Sequence, residues 1–195
     1  MALTVEQIRN SPILGKGSYG KVYKVEYNNQ YIAVKEFLNS GDDISEDAVI
    51  EIDILNRCNH PNIIKPLFTE IINDTTFIGL PLASTDLWKK SNSGYIFNNV
   101  EKVDIMYSLL CGVSYLHDNY IIHSDLKPNN ILIFGITYKI ADFGSAIILP
   151  FSPESNSKVK YADDIVTLYW RAPEIILEMD YNYAIDIWSL GIIFE

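Results

Sequence analysis

Cysteine is scarce in this chain: Cys58 and Cys111 stand alone, with no Cys-x-x-Cys pair and no histidine spacing suited to zinc. That excludes a disulfide framework and a zinc scaffold, and it fits two reduced, buried thiols. Long apolar runs are missing too. No stretch reaches the roughly 18 apolar residues of a membrane span. The start, Met1-Ala-Leu-Thr-Val-Glu-Gln-Ile-Arg9, lacks the basic-then-apolar order of a secretory leader. The expected location is therefore cytoplasmic or nuclear, with no membrane partner. Basic residues are the third shortage: 15 Lys and Arg face 25 Asp and Glu, a formal net charge of −10. Nonspecific nucleic-acid binding depends on clustered Lys and Arg, so no nucleic-acid partner is expected. A nucleotide needs only a few local cations.

What is present is a chain of 195 residues, 48% hydrophobic, enough for one domain or two small lobes. Its first part reads as β structure. Ile13-Leu14 leads into Gly15-Lys-Gly-Ser-Tyr-Gly20; strand patterns follow at Lys21–Tyr27 and Tyr31–Phe37, with Asn28-Asn29 as the turn. A helix is expected from Ser45, a natural N-cap, with Ala48, Ile52 and Leu55 as its apolar stripe. From Val100 to Asp118 the spacing is helical, with Val103, Tyr107, Leu110, Ser114 and His117 on one stripe. Pro150–Asp164 reads as a surface loop, and Ile185–Phe194, apolar on every side, as a buried helix. Pro66 falls where a strand residue is expected and implies a bulge.

Several residues carry chemistry. Ile121-Ile-His-Ser-Asp-Leu-Lys-Pro-Asn-Asn-Ile-Leu-Ile133 puts an acid (Asp125), a cation (Lys127) and an amide (Asn130) in one polar loop between apolar runs. Asp142-Phe-Gly144 follows. These are parts that can move a phosphoryl group from a nucleotide to a hydroxyl. Gly15, Gly17 and Gly20 fit G-x-G-x-x-G-x-V, where missing β-carbons let backbone approach phosphates. The same letters open dinucleotide-binding folds, but there a helix follows; here a strand does. Lys35 sits on an otherwise apolar strand, and Glu51 shares a helical face with Ala48, Leu55 and Cys58. Each of the two wants the other.

In this order and spacing, the motifs resemble those of eukaryotic-type serine/threonine protein kinases, most closely the cyclin-dependent and mitogen-activated group. Thr167-Leu-Tyr-Trp-Arg-Ala-Pro-Glu174 and Asp186-Ile-Trp-Ser-Leu-Gly191 extend the resemblance from Gly15 to Gly191. It implies an α+β, bilobal kinase-like fold: a small antiparallel-sheet lobe over residues 1–82 and an incomplete, mainly helical lobe over 83–195. ATP and Mg²⁺ are the implied cofactors. Lys35, oriented by Glu51, would hold phosphates; Asp142 and Asn130 would hold metal; Asp125 would accept the substrate proton and Lys127 would stabilise the transferring group. Around the nucleotide the resemblance puts Leu14, Gly15, Gly17, Gly20, Val22, Ala33 and Leu132. Leu80 is the gatekeeper, Pro81 and Ala83 offer a carbonyl and an N–H to adenine, and Asp86 meets the ribose. Asp186 would accept from the backbone around His123 and Ser124. Val166 and Arg171 match positions that favour proline after the acceptor.

The chain also departs from the pattern. Three arginines that gather a loop phosphate in the family are replaced by Ser124, Ile50 and Ile147, and the usual phosphorylated threonine is Ala162. The phosphate switch is expected to be missing. A cyclin-like or other regulatory subunit is the partner the group suggests beside a protein substrate, although Ser45–Glu51 shares little with the cyclin-reading helix. A complete kinase domain needs roughly 250 residues, so a domain cut within its central helix is expected. The alternative to an active kinase is a catalytically inactive nucleotide-binding or docking module.

Overall fold

The computed structural model describes residues 3–17, 20–37, 39–40, 43–44, 46–149 and 165–195. The expected loop Pro150–Asp164, with Ala162 in it, and the expected cap Ser45 lie outside the described residues. The chain divides into two units: Met1–Asn59 with Ile64–Ala83, and His60–Ile63 with Ser84–Glu195. No helix among the described residues is long and apolar enough to cross a membrane.

The first unit is built on a five-stranded antiparallel sheet in the order β1-β2-β3-β7-β6. Its strands are β1 (Ile13–Gly17), β2 (Gly20–Tyr27), β3 (Gln30–Phe37), β6 (Phe68–Ile72) and β7 (Thr75–Pro81), with a short pair β4 (Asn39–Ser40) and β5 (Asp43–Ile44) beside it. Asn28 and Asn29 turn the chain between β2 and β3 at φ 50° and 63°, a conformation asparagine tolerates better than most residues. Pro66 precedes β6 instead of interrupting a strand, so no bulge is needed and no ladder bond is lost.

Alternation assigns the two faces of this sheet. Tyr23, Val25, Ile32, Val34 and Phe77 form a core cluster that takes in Ile8 of α1 (Val5–Arg9). Thr4 and Gln7 close that helix with a reciprocal capping box. Arg9 and Tyr23 both donate to Glu36, at 2.8 Å each. Burial, then the Glu36 contact, pushes the Tyr23 phenol up to about 12, so it stays a donor. On the opposite face the register sets Val22 against Lys35 and Ala33 against Leu80. Helix α2 (Glu46–Arg57) buries Ala48, Glu51, Ile54 and Leu55. Cys58 follows it, buried, its thiol raised to about 11 by loss of water, which leaves it inert.

The second unit is mainly helical: α3 (Leu87–Asn92), α4 (Asn99–Asp118), α5 (Pro173–Ile176) and α6 (Ala184–Ile193). Small β elements join them. β8 (Thr85–Asp86), β10 (Ile131–Phe134) and β11 (Thr137–Ile140) form one sheet; β9 (Ile121–Ile122) pairs with β12 (Ile147–Ile148). Asn62 ties its segment to β11, accepting from the Ile140 N–H at 2.8 Å and donating to the Tyr138 carbonyl at 2.9 Å.

Helix α4 corrects one expectation. Its buried face is Ile105, Leu109, Gly112, Val113 and Leu116, whereas Val103 and Tyr107 are 65% and 70% exposed. Those two, with Lys102, Met106, Leu110 and Phe194, line an open groove of about 430 Å³. The helix carries two apolar stripes, and spacing alone could not choose between them. Gly112 chooses: a β-carbon there would stand 2.8 Å from Ile140 and 3.2 Å from the Asn62 carbonyl. Helix α6 is likewise less buried than its composition implies. Ile185, Asp186, Ser189 and Leu190 face inward, while Ile187 and Trp188 are exposed.

Candidate active site

In the first unit, strand β3 delivers Lys35 and helix α2 delivers Glu51. Lys35 Nζ donates to both carboxylate oxygens, at 2.7 and 2.6 Å, with the two side chains only 10% and 3% exposed. Two charges taken out of water need such close, two-point geometry to offset their lost hydration. The half-buried Val22, Ala33 and Leu80 share the face of Lys35. Pro81 pairs with Ile32 at the end of β7, Ala83 follows it half-buried, and Leu14 is exposed on β1.

The glycines divide into two kinds. At Gly20 a β-carbon would lie 2.0 Å from the Glu36 carbonyl oxygen, so the fold itself requires glycine. At Gly15 and Gly17 a β-carbon would meet nothing within 4 Å. No packing demand explains those two, and the space they leave suits close approach of a ligand to backbone.

In the second unit the polar loop is held by backbone hydrogen bonds. Asp186, 1% exposed near the start of α6, accepts from the N–H of His123 and of Ser124, both at 2.9 Å. Its Oδ2 also lies 2.9 Å from His117 Nε2. His117 was expected on the α4 stripe, and that spacing gave no sign of this contact. His123 receives the Asp125 N–H at Nδ1, 3.3 Å, and lies 3.1 Å from the Ala141 carbonyl through Nε2. Both contacts are met by the tautomer with its proton on Nε2. Its ring packs on Phe143, centroids 5.0 Å apart.

Asp125, Lys127 and Asn130 come together. Lys127 Nζ lies 2.7 Å from Asp125 Oδ2, and Asn130 Nδ2 donates to the Asp125 carbonyl at 2.8 Å. The Asn130 carbonyl accepts from the Ala141 N–H at 2.9 Å, which brings the asparagine next to the residue preceding Asp142. Asp142 has φ 66°, a backbone that a non-glycine residue adopts only where its surroundings hold it. Asp86 has work within the protein: it caps α3, accepting from the Lys89 N–H at 2.8 Å, and its Oδ2 pairs with Lys89 Nζ at 2.9 Å. Leu132 stands opposite it in the β10–β8 pair. The Thr167–Glu174 stretch is anchored through Trp170, whose carbonyl accepts from Ser189 Oγ at 2.6 Å.

Among the described residues no three His, Cys, Asp or Glu gather into a metal cage. Mg²⁺ takes one or two protein oxygens and completes its shell with phosphate and water, so a carboxylate and an amide oxygen would be enough to hold it. Asp142 would offer a hard carboxylate. With Nδ2 of Asn130 engaged by Asp125, Oδ1 is the atom left to meet a cation.

Residues 8–195 match the family model described as protein kinase domain. The chain is 35% identical over 201 residues to Cyclin-dependent kinase E-1 of Arabidopsis thaliana, covering 93% of this chain and 42% of that one. It is 37% identical over 189 residues to Cell division control protein 2 homolog 3 of Trypanosoma brucei brucei, covering 93% and 59%. With Serine/threonine-protein kinase dst2 of Dictyostelium discoideum the identity is 36% over 190 residues, covering 92% and 16%. The chain thus spans between 16% and 59% of the length of these curated relatives.

Proposed function

The chain belongs to the protein kinase domain family, and from that premise we propose that it transfers the γ-phosphoryl group of ATP to serine or threonine hydroxyls of proteins. The observation that carries this reading is the grouping of Asp125, Lys127 and Asn130 in one loop, with Asn130 bonded to the residue before Asp142. Asp125 accepts the proton of the attacking hydroxyl. Lys127, already beside it, stabilises charge on the group in transit. Lys35, oriented by Glu51, holds phosphate oxygens, and Gly15, Gly17 and Gly20 give backbone access to them. In the first unit Val22, Ala33 and Leu80 offer apolar surface to the base, with Leu14 at its edge and the Pro81 carbonyl and Ala83 N–H for its polar rim; the resemblance gives Leu132 of the second unit the same role. Asp142 and Asn130 would hold Mg²⁺, which neutralises phosphate charge when bound. Kinases of this family use ATP and Mg²⁺ in general.

The acceptor is a protein side chain, and Val166 and Arg171 support a preference for proline directly after it, since proline needs no partner for an N–H. The experiment is a phosphotransfer assay with labelled ATP, Mg²⁺, a generic protein substrate and a serine/threonine peptide library. Label on serine or threonine, enriched before proline, is expected. ATP binding without transfer would overturn the reading in favour of an inactive nucleotide-binding module.

A further inference from the structure

Two of the three tryptophans of the chain meet in the second unit. Trp88 on α3 and Trp170, at the end of the segment Ile165–Trp170, stand edge to face with ring centroids 6.0 Å apart. Tyr169 continues the row, its ring 6.1 Å from that of Trp170. Edge-to-face contact explains the angle between the rings, but it does not cover them. Trp88 stays 42% exposed and Tyr169 80% exposed. A single exposed apolar residue is ordinary; contiguous rings drawn from two separate segments form a patch of the kind that binds.

The supports of this row are also supports of the candidate site. Helix α3, capped by Asp86 and anchored by buried Leu87, packs against the turn Pro128–Asn130. That turn follows Lys127 and ends on the asparagine that bonds the Asp125 carbonyl. At the other end, the Trp170 carbonyl accepts from Ser189. Ser189 lies one turn along α6 from Asp186, which holds the N–H groups of His123 and Ser124. A chain that presents a hydroxyl to Asp125 therefore has these rings alongside residues close to its acceptor.

Charge decides what fits there. Lys89 and Lys90 follow Trp88 directly, and both are engaged: Lys89 pairs with Asp86, and Lys90 lies over the rings of Tyr95 and Phe97. A cationic side chain would meet their repulsion, and an anionic one would face the negative faces of the rings. An apolar side chain gains contact area and gives up no charge hydration.

We propose that Trp88 and Trp170, with Tyr169 at the margin, form a shelf for a large apolar side chain of the substrate protein, on a residue near the acceptor. This specificity is separate from a preference for proline directly after the acceptor. It rests on the kinase reading for the acceptor itself, but the shelf can be tested without turnover. Labelled serine-centred peptides are titrated into the full chain and its Trp88→Ala and Trp88→Phe variants, with fluorescence anisotropy as the readout. One peptide carries leucine at the flanking positions, one arginine and one glutamate. The leucine peptide should bind the wild-type chain about tenfold more tightly than the other two. Trp88→Ala should erase that difference, and Trp88→Phe should keep most of it. A preference for arginine or glutamate, or a leucine preference that survives Trp88→Ala, overturns the shelf. Loss of folding in both variants does so too, because Trp88 would then be a packing residue.

The second arm uses labelled ATP and a positional peptide library. Leucine, isoleucine, methionine and phenylalanine should be enriched at one position other than the one directly after the acceptor. For a peptide with leucine there, Trp88→Ala should raise the peptide KM about tenfold and leave KM for ATP within about twofold. A flat profile, or a fall in kcat with the peptide KM unchanged, overturns the shelf. A wild-type chain that labels no peptide would overturn the kinase reading, and the anisotropy result would still decide the shelf.

Discussion

The two units hold their charged residues in opposite ways. In the first, Lys35 and Glu51 project from a regular strand and a regular helix, and they meet deep in the unit as a pair. In the second, Asp125, Lys127 and Asn130 lie on a loop. That loop keeps its shape because Asp186 receives two of its N–H groups, with Ser124 held at positive φ. Regular elements position side chains through periodicity; a loop needs an anchor elsewhere in the chain for every turn it makes. The first arrangement is vulnerable to loss of a partner. The second is vulnerable to loss of a fixed point.

The largest expected effect lies in the loop. Asp125→Ala should lower phosphoryl transfer by roughly 10²–10⁴, the range for a positioned base, with the melting temperature nearly unchanged. Asp142→Asn, nearly isosteric, should abolish Mg²⁺-dependent transfer with the fold intact. Near-normal turnover in the second variant would remove Asp142 from the metal site.

Next comes the buried pair. Lys35→Met removes the cation that buried Glu51 meets, at a cost of about 3–5 kcal/mol by denaturant unfolding. Adding Glu51→Leu should restore most of that. The half-buried Lys127 should give a far smaller loss on the same change to methionine, and equal losses would erase the contrast between the units.

Helix α4 sharpens the comparison within the second unit. Leu109→Ala on the buried face should cost about 2–5 kcal/mol, and Tyr107→Ala on the exposed stripe within about 0.5 kcal/mol. A reversed order would mean that the stripe along the groove is the face that packs.

The smallest effect is a pH dependence at His60, whose ring stacks on Tyr115 with centroids 5.1 Å apart. Burial, and then Lys139, hold its pKa below the ordinary histidine value. The unfolded chain therefore binds the proton more readily. The contribution of His60 is intact above about pH 6.5 and is lost as pH falls through the lower folded value. Melting temperature measured down this range should fall less steeply in His60→Gln.

Much of this was legible in the sequence because it depends on local pattern. The strands around Asn28-Asn29, the face that carries Glu51 and the acceptance by Asp186 from His123 and Ser124 follow from spacing or from motif order. The inward face of α4 did not follow, because Val103, Tyr107 and Leu110 are as apolar as Ile105, Leu109 and Val113. The steric demand at Gly112 that separates them arises from Ile140 and Asn62, which are distant in sequence. For the same reason the His117–Asp186 contact and the Ser124–Ser145 bond gave no local signal. Asp86 carried a motif role in the sequence, and its carboxylate also caps a helix six residues long, a contact the motif did not signal.

Strand β3 sends consecutive charges in opposite directions, Lys35 toward Glu51 and Glu36 toward Arg9. A one-residue slip of β3 against its neighbours would break both pairs. In one direction Glu36 would take the place facing Glu51, in the other Lys35 would take the place facing Arg9, and either way the apolar set Ile32 and Val34 would leave its core for the other face. One repulsion would replace two attractions in a single step. The pairs therefore act as a check on alignment whatever they add to stability, and the Asn28-Asn29 turn is the place where an inserted residue should do the most harm for its size.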